Sequence, residues 1–183
     1  HIESDETYAA FCEKNAYWLE DYALYMAVKN AFGGKSFSLW DADIRFREPG
    51  AMRRYREEYA EEIGFIRFQQ FLFEKQWLAL KEYANEKGIR IVGDIPIYVA
   101  YDSADVWASP ELFQLDENFL PTAVAGCPPD AFSDDGQLWG NPLFRWDVMK
   151  EDGYDWWIKR IAHMAKLFDV VRIDHFRGFD AYY

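Results

Sequence analysis

Four charged or titratable side chains lie in the two most apolar strands that the sequence predicts. Arg172, Asp174 and His175 belong to VVRIDHFRGF, and Asp94 belongs to IRIVGDIPIYVA. Residues two apart on a strand point to the same face, so Arg172 and Asp174 share one. An arginine beside an aspartate favours the ionised carboxylate, which a carboxylate nucleophile requires. The pattern therefore predicts either an active site or a buried ion pair with a purely structural role.

The order helix, strand, loop, helix, strand predicts an α/β fold around these charges. A helix over roughly residues 66–86 ends at Gly88 and leads directly into the first buried strand, as in a parallel α/β unit. A second helix, GYDWWIKRIAHMAKLF, precedes the second buried strand. Active sites of such folds lie at the carboxyl ends of the strands. We therefore expect Asp94 and Asp174 to lie together at one edge of a parallel sheet.

The chain divides into a helical part and an α/β part. Residues 1–62 show helical periodicity, with Pro49 in the first turn of one helix. Residues 63–183 carry both predicted strands. Between the strands, residues 101–150 are rich in proline, glycine and tryptophan and have little periodicity. Irregular segments of this length are commonly functional, so we expect residues 101–150 to form an active-site loop.

The composition indicates which ligands the protein can bind and in which compartment it works. The net charge of −12 argues against nucleic acid and anionic membranes and suits a neutral substrate. The 19% of aromatic residues either fill a core or form a surface that stacks on sugars. Cys12 and Cys127 lack CxxC spacing, which predicts free thiols in a reducing cytoplasm. We expect no metal site, no signal peptide and no transmembrane helix.

Long segments of the chain resemble the amylomaltase family, the 4-α-glucanotransferases that belong with the α-amylase clan. They are GDIPIYVAYDSADVWA, AGCPPDAFSDDGQLWGNPLFRWD and VVRIDHFRGF, with FCEKNAYWLEDYALYMAVK near the start. The resemblance covers essentially the whole chain. It implies a (β/α)8 barrel, of which the two strands would be about the third and fourth, with residues 1–62 as a helical inserted subdomain. It also implies retaining transfer of an α-1,4-glucan to an acceptor sugar without a metal or organic cofactor.

The resemblance implies a catalytic role for two residues and a binding role for two more. Asp174 would be the nucleophile that forms the covalent glucosyl intermediate. Arg172 would orient Asp174 and keep it ionised. Asp94 and His175 would hold the sugar that is bound at the cleavage point.

Three further residues, Phe132, Trp139 and Asn141, match a segment that lines the acceptor side in the family. Two positions near them depart from the family pattern. Cys127 stands where the family has an aliphatic residue, which is a small apolar change. Ala131 stands where an aromatic residue often precedes the loop phenylalanine, and this departure bears on how the segment grips an acceptor.

Retaining glycosidic chemistry also needs an acid/base carboxyl about 5–5.5 Å from the nucleophile. The family implies that an acid/base glutamate and a second aspartate come from later strands, which this chain lacks. We therefore expect an incomplete and inactive fragment of a 4-α-glucanotransferase, whose exposed strand edge makes copies self-associate. The alternatives are a non-catalytic carbohydrate-binding or assembly module, and a different hydrolytic or isomerising α/β enzyme. Exclusion of water by the aromatic acceptor segment would favour transfer over hydrolysis.

Overall fold

The computed structural model describes residues 5–131 and 133–181 and has α/β architecture. The helices are α1 (Glu6–Ala31), α2 (Ala42–Arg45), α3 (Pro49–Glu58), α4 (Ala60–Glu86), α5 (Ala104–Ala108), α6 (Trp146–Glu151) and α7 (Asp155–Leu167). The strands are β1 (Val92–Ile95), β2 (Val124–Cys127), β3 (Gln137–Pro142) and β4 (Val170–Ile173). The chain divides into two compact units, and the boundary in the sequence falls between Trp77 and Leu78, inside α4. The boundary predicted between residues 62 and 63 also falls inside α4 and stays a prediction.

The first unit is helical, and its helices begin and end at recognisable signals. The side chain of Asp5 caps α1 by accepting from the backbone N–H of Thr7 at 2.8 Å. The chain leaves α1 through Gly33 and Gly34, both at positive φ. Pro49 is the first residue of α3, where its missing N–H costs nothing. Buried side chains of α1 and α4 form an apolar cluster: Phe11, Leu19 and Phe71, with Tyr8, Cys12, Trp18, Phe68 and Leu72 around them.

The second unit contains the predicted parallel pair. β1 and β4 pair in parallel, with Val92 opposite Val170 and Asp94 opposite Arg172. The helix α4 precedes β1, and α7 precedes β4. Gly88 ends the first of these helices at a φ of +76°, and the next residue donates back into its last turn. The parallel α/β arrangement predicted from the order of elements is therefore confirmed.

Asp169 fixes the register of β1 and β4 at their amino ends. Its carboxylate accepts from the backbone N–H of Ile91 and from the side-chain amide of Asn85, both at 2.8 Å. Its own backbone N–H donates to the Ile91 carbonyl at 2.9 Å. The hydrogen bond from the Ile91 N–H and that from Asn85 hold the pKa of Asp169 below its usual value. The two strands are thus tied together at their amino ends, opposite to the carboxyl ends where Asp94 and Asp174 lie.

The prediction that both strands are buried is wrong. The strands are not buried on both faces, since the side chain of Val92 is 62% exposed and that of Val170 is 40% exposed. Within the described residues, β1 and β4 pair with each other and with no further strand, so each keeps an open edge. Large apolar residues of α4 and α7 also lie in solvent, namely Phe73, Leu80, Tyr83, Ile158 and Ile161. Periodicity marks a face as apolar, but it does not supply the element that covers it.

The segment 101–150 is more regular than predicted. It contains α5, α6 and an antiparallel hairpin of β2 and β3, in which Cys127 lies opposite Gln137. The strands approach so closely that a Cβ on Gly126 would lie 2.3 Å from the Gln137 carbonyl oxygen. The prediction missed this hairpin because prolines and glycines hide the alternation of its short strands. Trp107, on α5, is fully buried and serves the core.

Two expectations drawn from composition concern cysteines and membranes. Cys12 and Cys127 are free thiols, and Cys127 is buried. Within the part of the chain that the structure describes, no helix combines the length and apolar character that crossing a membrane requires.

The substitution Gly93→Ala is expected to lower the free energy of unfolding by about 1–3 kcal/mol. A Cβ at this position would lie 2.1 Å from Cδ2 and 2.2 Å from Cγ of the Phe168 ring. Phe168 directly follows α7, so its ring cannot withdraw without moving the connection into β4. Urea unfolding measures the difference. The control is Gly64→Ala in α4, where nothing lies within 4 Å of the added Cβ and stability should stay level or rise. Equal stability of Gly93→Ala and wild type would contradict this packing.

Candidate active site

Arg172 lies between two carboxylates at the carboxyl ends of β1 and β4. Its Nη1 lies 3.5 Å from Oδ2 of Asp94, the residue beside it in the neighbouring strand. Its Nη2 donates to Oδ1 of Asp174 at 2.5 Å, and Asp174 immediately follows the last residue of β4. The structure thus brings together three of the predicted residues, as the spacing of the charges on the strands led us to expect. We call this group the carboxylate–arginine cluster.

The carboxylate–arginine cluster is open to solvent rather than buried. The three side chains are 54% to 64% exposed, so the expected alternative of a buried ion pair is wrong. Exposed ion pairs contribute little to folding stability, because water screens them and their side chains lose freedom. The hydrogen bond from Arg172, reinforced by its charge, holds the pKa of Asp174 below its usual value. Asp174 is therefore an ionised carboxylate that a ligand in solvent can reach.

The rings of Trp139 and His175 form an aromatic edge beside the carboxylate–arginine cluster. His175 follows Asp174 in the left-handed conformation, at a φ of 51°, and begins the turn Phe176–Phe179. The ring of Trp139, on β3, meets the His175 ring edge-on with 4.9 Å between centroids. Trp139 Nε1 donates to the side chain of Gln137 at 2.9 Å. The hairpin of β2 and β3 therefore brings a flat apolar surface to the residue next to Asp174.

The other two residues predicted for the acceptor side are Asn141 and Phe132. Asn141 donates its side-chain amide to the Val99 carbonyl at 2.7 Å, which ties the hairpin to the chain that follows β1. Its contact with a sugar stays a prediction. Phe132 lies outside the described residues. The roles assigned to all the predicted site residues likewise stay predictions.

Two residues at the site were missed by the sequence analysis. Tyr98 is buried, and its ring centroid lies 6.2 Å from that of Trp139. Gly178 packs under the site, where a Cβ would lie 2.8 Å from Ile97 Cδ1, 2.9 Å from Tyr98 Oη and 3.1 Å from His175 Cδ2. A glycine permits such close approach, but nothing in the neighbouring sequence identifies the segment that approaches Gly178.

Comparison with known proteins places the whole chain in one family. The family model described as 4-alpha-glucanotransferase matches residues 1–183. Over 181 residues the chain is 55% identical to a 4-alpha-glucanotransferase of Thermus thermophilus, covering 99% of this chain and 36% of that protein. Over 180 residues it is 48% identical to the 4-alpha-glucanotransferase of Clostridium butyricum, covering 98% of this chain and 37% of that protein.

A solved structure agrees with the sequence comparison. The chain superposes on an amylomaltase from Streptococcus agalactiae, determined in complex with acarbose, with a TM-score of 0.93 and 48% identity. The match covers 100% of this chain and 37% of that one. The chain therefore spans little more than a third of the length of these relatives. With its full length matched by the family model, the chain belongs to the 4-alpha-glucanotransferase family.

Proposed function

We propose that a full-length protein containing this chain is a 4-α-glucanotransferase, which moves an α-1,4-glucan segment to an acceptor sugar with retention. The observation that carries the proposal is the carboxylate–arginine cluster, in which Arg172 lies between Asp94 and Asp174 at the ends of two parallel strands. This arrangement supplies an accessible ionised carboxylate beside an aromatic surface suited to a sugar ring. Membership of the family and the similarity to the amylomaltase support the same activity.

The proposed reaction uses Asp174 as the nucleophile. In the first step a carboxylate oxygen of Asp174 bonds to the anomeric carbon, the glycosidic C–O bond breaks, and a carboxylic acid protonates the leaving oxygen. In the second step the carboxylate left by that acid takes the proton of an acceptor hydroxyl. The hydroxyl oxygen attacks the anomeric carbon. The ester bond to Asp174 then breaks and the carboxylate is restored. We assign the acid/base group to a glutamate outside this chain, together with a second, stabilising aspartate.

The remaining predicted residues serve binding in this proposal. The carboxylate of Asp94 can accept hydrogen bonds from sugar hydroxyls, and His175 can contact the same sugar. Trp139 offers its ring to the acceptor side, with Phe132 and Asn141 in the same segment. Apolar rings exclude water from a site and hold an acceptor in place, which favours transfer over hydrolysis.

The finer features of the fold and its partners belong to the same proposal. β1 and β4 would be about the third and fourth strands of a (β/α)8 barrel, with residues 1–62 as an inserted helical subdomain and residues 63–183 as part of the barrel. Maltodextrins and acceptor sugars would be the partners, in the cytoplasm. Alone, the chain would be inactive and would self-associate through the open edges of β1 and β4.

Incubation of the full-length protein with maltotriose tests the proposed function. Transfer is expected to yield glucose and longer maltodextrins while the number of reducing ends stays constant, because each bond broken is replaced by a new one. Chromatography reads the products, and a reducing-sugar assay counts the ends. A steady rise in reducing ends would identify a hydrolase instead. Maltodextrin binding without new products would favour a non-catalytic carbohydrate-binding module.

A further inference from the structure

Arg160, on α7, reaches the chain segment that follows the carboxyl end of β1, residues 96–99. Its Nη2 donates to the Pro96 carbonyl at 2.7 Å, and its Nη1 donates to the Ile97 carbonyl at 3.4 Å. Its guanidinium carbon lies 5.2 Å from the ring centroid of Trp156 and 5.0 Å from that of Trp157. Two neighbouring carbonyls and two aromatic rings therefore fix one side chain.

The position of these carbonyls explains why an arginine stands there. Pairing between β1 and β4 ends at Ile95 and Ile173, so the next carbonyls along the chain leave the sheet ladder. Backbone carbonyls that leave a ladder need other donors, from side chains or from water. A guanidinium carries several N–H donors in a rigid fork and lies flat on aromatic rings, whereas an ammonium offers a point charge. Arg160 thus holds two successive peptide groups in one orientation.

The opposite side of the same segment faces the candidate active site. Ile97 and Tyr98 both pack against Gly178, and so does the His175 ring. The distances at Gly178 leave no room for a methyl group, so Ile97, Tyr98 and His175 pack closely around one glycine and their positions are coupled through it. The segment is therefore packed between α7 on one side and the turn after Asp174 on the other.

The hairpin holds the segment from a third direction. Asn141 donates to the Val99 carbonyl, and the Trp139 ring contacts both Tyr98 and His175. The carbonyls fastened by Arg160 come directly before this region in the sequence. A change in their orientation would therefore pass to the aromatic edge of the site.

We propose that Arg160 is a positioning residue of the site: by fixing the carbonyls of Pro96 and Ile97, it sets Tyr98 and through it the places of His175 and Trp139. Its effect on turnover rests on the proposed glucanotransferase activity, whereas its effect on the geometry does not. It touches none of the groups assigned to chemistry.

The substitution Arg160→Lys in the full-length protein tests this role, since it keeps the charge and loses the fork. We expect kcat/KM for maltotriose to fall by roughly 10- to 100-fold, as for misplaced binding groups, with KM clearly raised. Rates are expressed per folded protein, so that a smaller folded fraction does not lower them. The matched control is Asn15→Ala in α1, which removes the buried hydrogen bond from the Asn15 amide to the Phe11 carbonyl and should lower the melting temperature with KM unchanged. An unchanged KM in Arg160→Lys would overturn the proposal.

A second readout needs no activity. The Hε1 proton resonance of His175, identified by its loss in His175→Gln, reports the neighbouring Trp139 ring. We expect Arg160→Lys to shift this resonance and Asn15→Ala to leave it in place. If the wild-type protein transfers no glucan, the proposed function fails, and an unshifted resonance would then overturn the positioning role by itself. Should Arg160→Lys fail to fold, Arg160→Gln, whose amide can donate to one carbonyl, is measured in the same way.

Discussion

Replacing Asp174 with asparagine in the full-length protein is expected to lower kcat for transfer from maltotriose on the order of 10⁴-fold or more, as when other enzymes lose their nucleophile. The amide matches the carboxylate in shape but cannot form the glycosyl ester. Asp174 is more than half exposed and follows the end of β4, so the fold and maltodextrin binding should be retained. Initial rates and calorimetric titration with a maltodextrin measure the two effects separately.

The matched control for this substitution is Asp180→Asn, a neighbouring exposed carboxylate beyond the turn after His175. It should leave transfer unchanged. A sharper test uses Asp174→Gly with α-glucosyl fluoride as donor and azide as an external nucleophile. Azide would attack from the face vacated by the carboxylate and release β-glucosyl azide. Transfer by Asp174→Asn at near wild-type rate, or an absence of rescue with a folded Asp174→Gly protein, would contradict the assignment of the nucleophile.

The parallel pair and the carboxylate–arginine cluster could be predicted because their determinants are local. Strand period and helix ends are written in neighbouring residues, such as Arg172 and Asp174 on one face and Gly88 at the end of α4. The order of the elements then brings Asp94 alongside Arg172, since parallel strands align their carboxyl ends. These inferences need no knowledge of packing at a distance.

The surroundings of the site could not be predicted, since they depend on contacts between distant segments. Nothing near Gly178 in the sequence reveals that Tyr98 packs on it, and nothing near Arg160 reveals that it caps the carbonyl of Pro96. The prediction of burial was also wrong, because the apolar strands were expected to be buried and Val92 lies in solvent. The pattern describes the side chain's chemistry, while its exposure depends on which elements lie beside it.

Removal of the Arg172 side chain is the second substitution with a large expected effect. Arg172→Gln in the full-length protein should lower kcat by roughly 10²- to 10³-fold, the range for loss of one preorganised electrostatic group at an active site. The guanidinium contacts both Asp94 and Asp174, so its loss frees both carboxylates to move and to repel each other. Arg172→Lys should fall between Arg172→Gln and wild type, because it keeps the charge and cannot hold both partners in the same geometry.

The pH dependence of Arg172→Gln distinguishes loss of charge from loss of shape. In the wild-type protein the hydrogen bond and charge of Arg172 lower the pKa of Asp174, so the nucleophile stays ionised to a lower pH than an ordinary aspartate. Without Arg172 the pKa of Asp174 rises, and the acidic limb of the kcat/KM profile should move to higher pH. Arg90→Gln removes the same charge from an exposed arginine before β1 and should leave that limb in place. If Arg172→Gln lowered kcat with an unmoved acidic limb, Arg172 would orient Asp174 without controlling its ionisation.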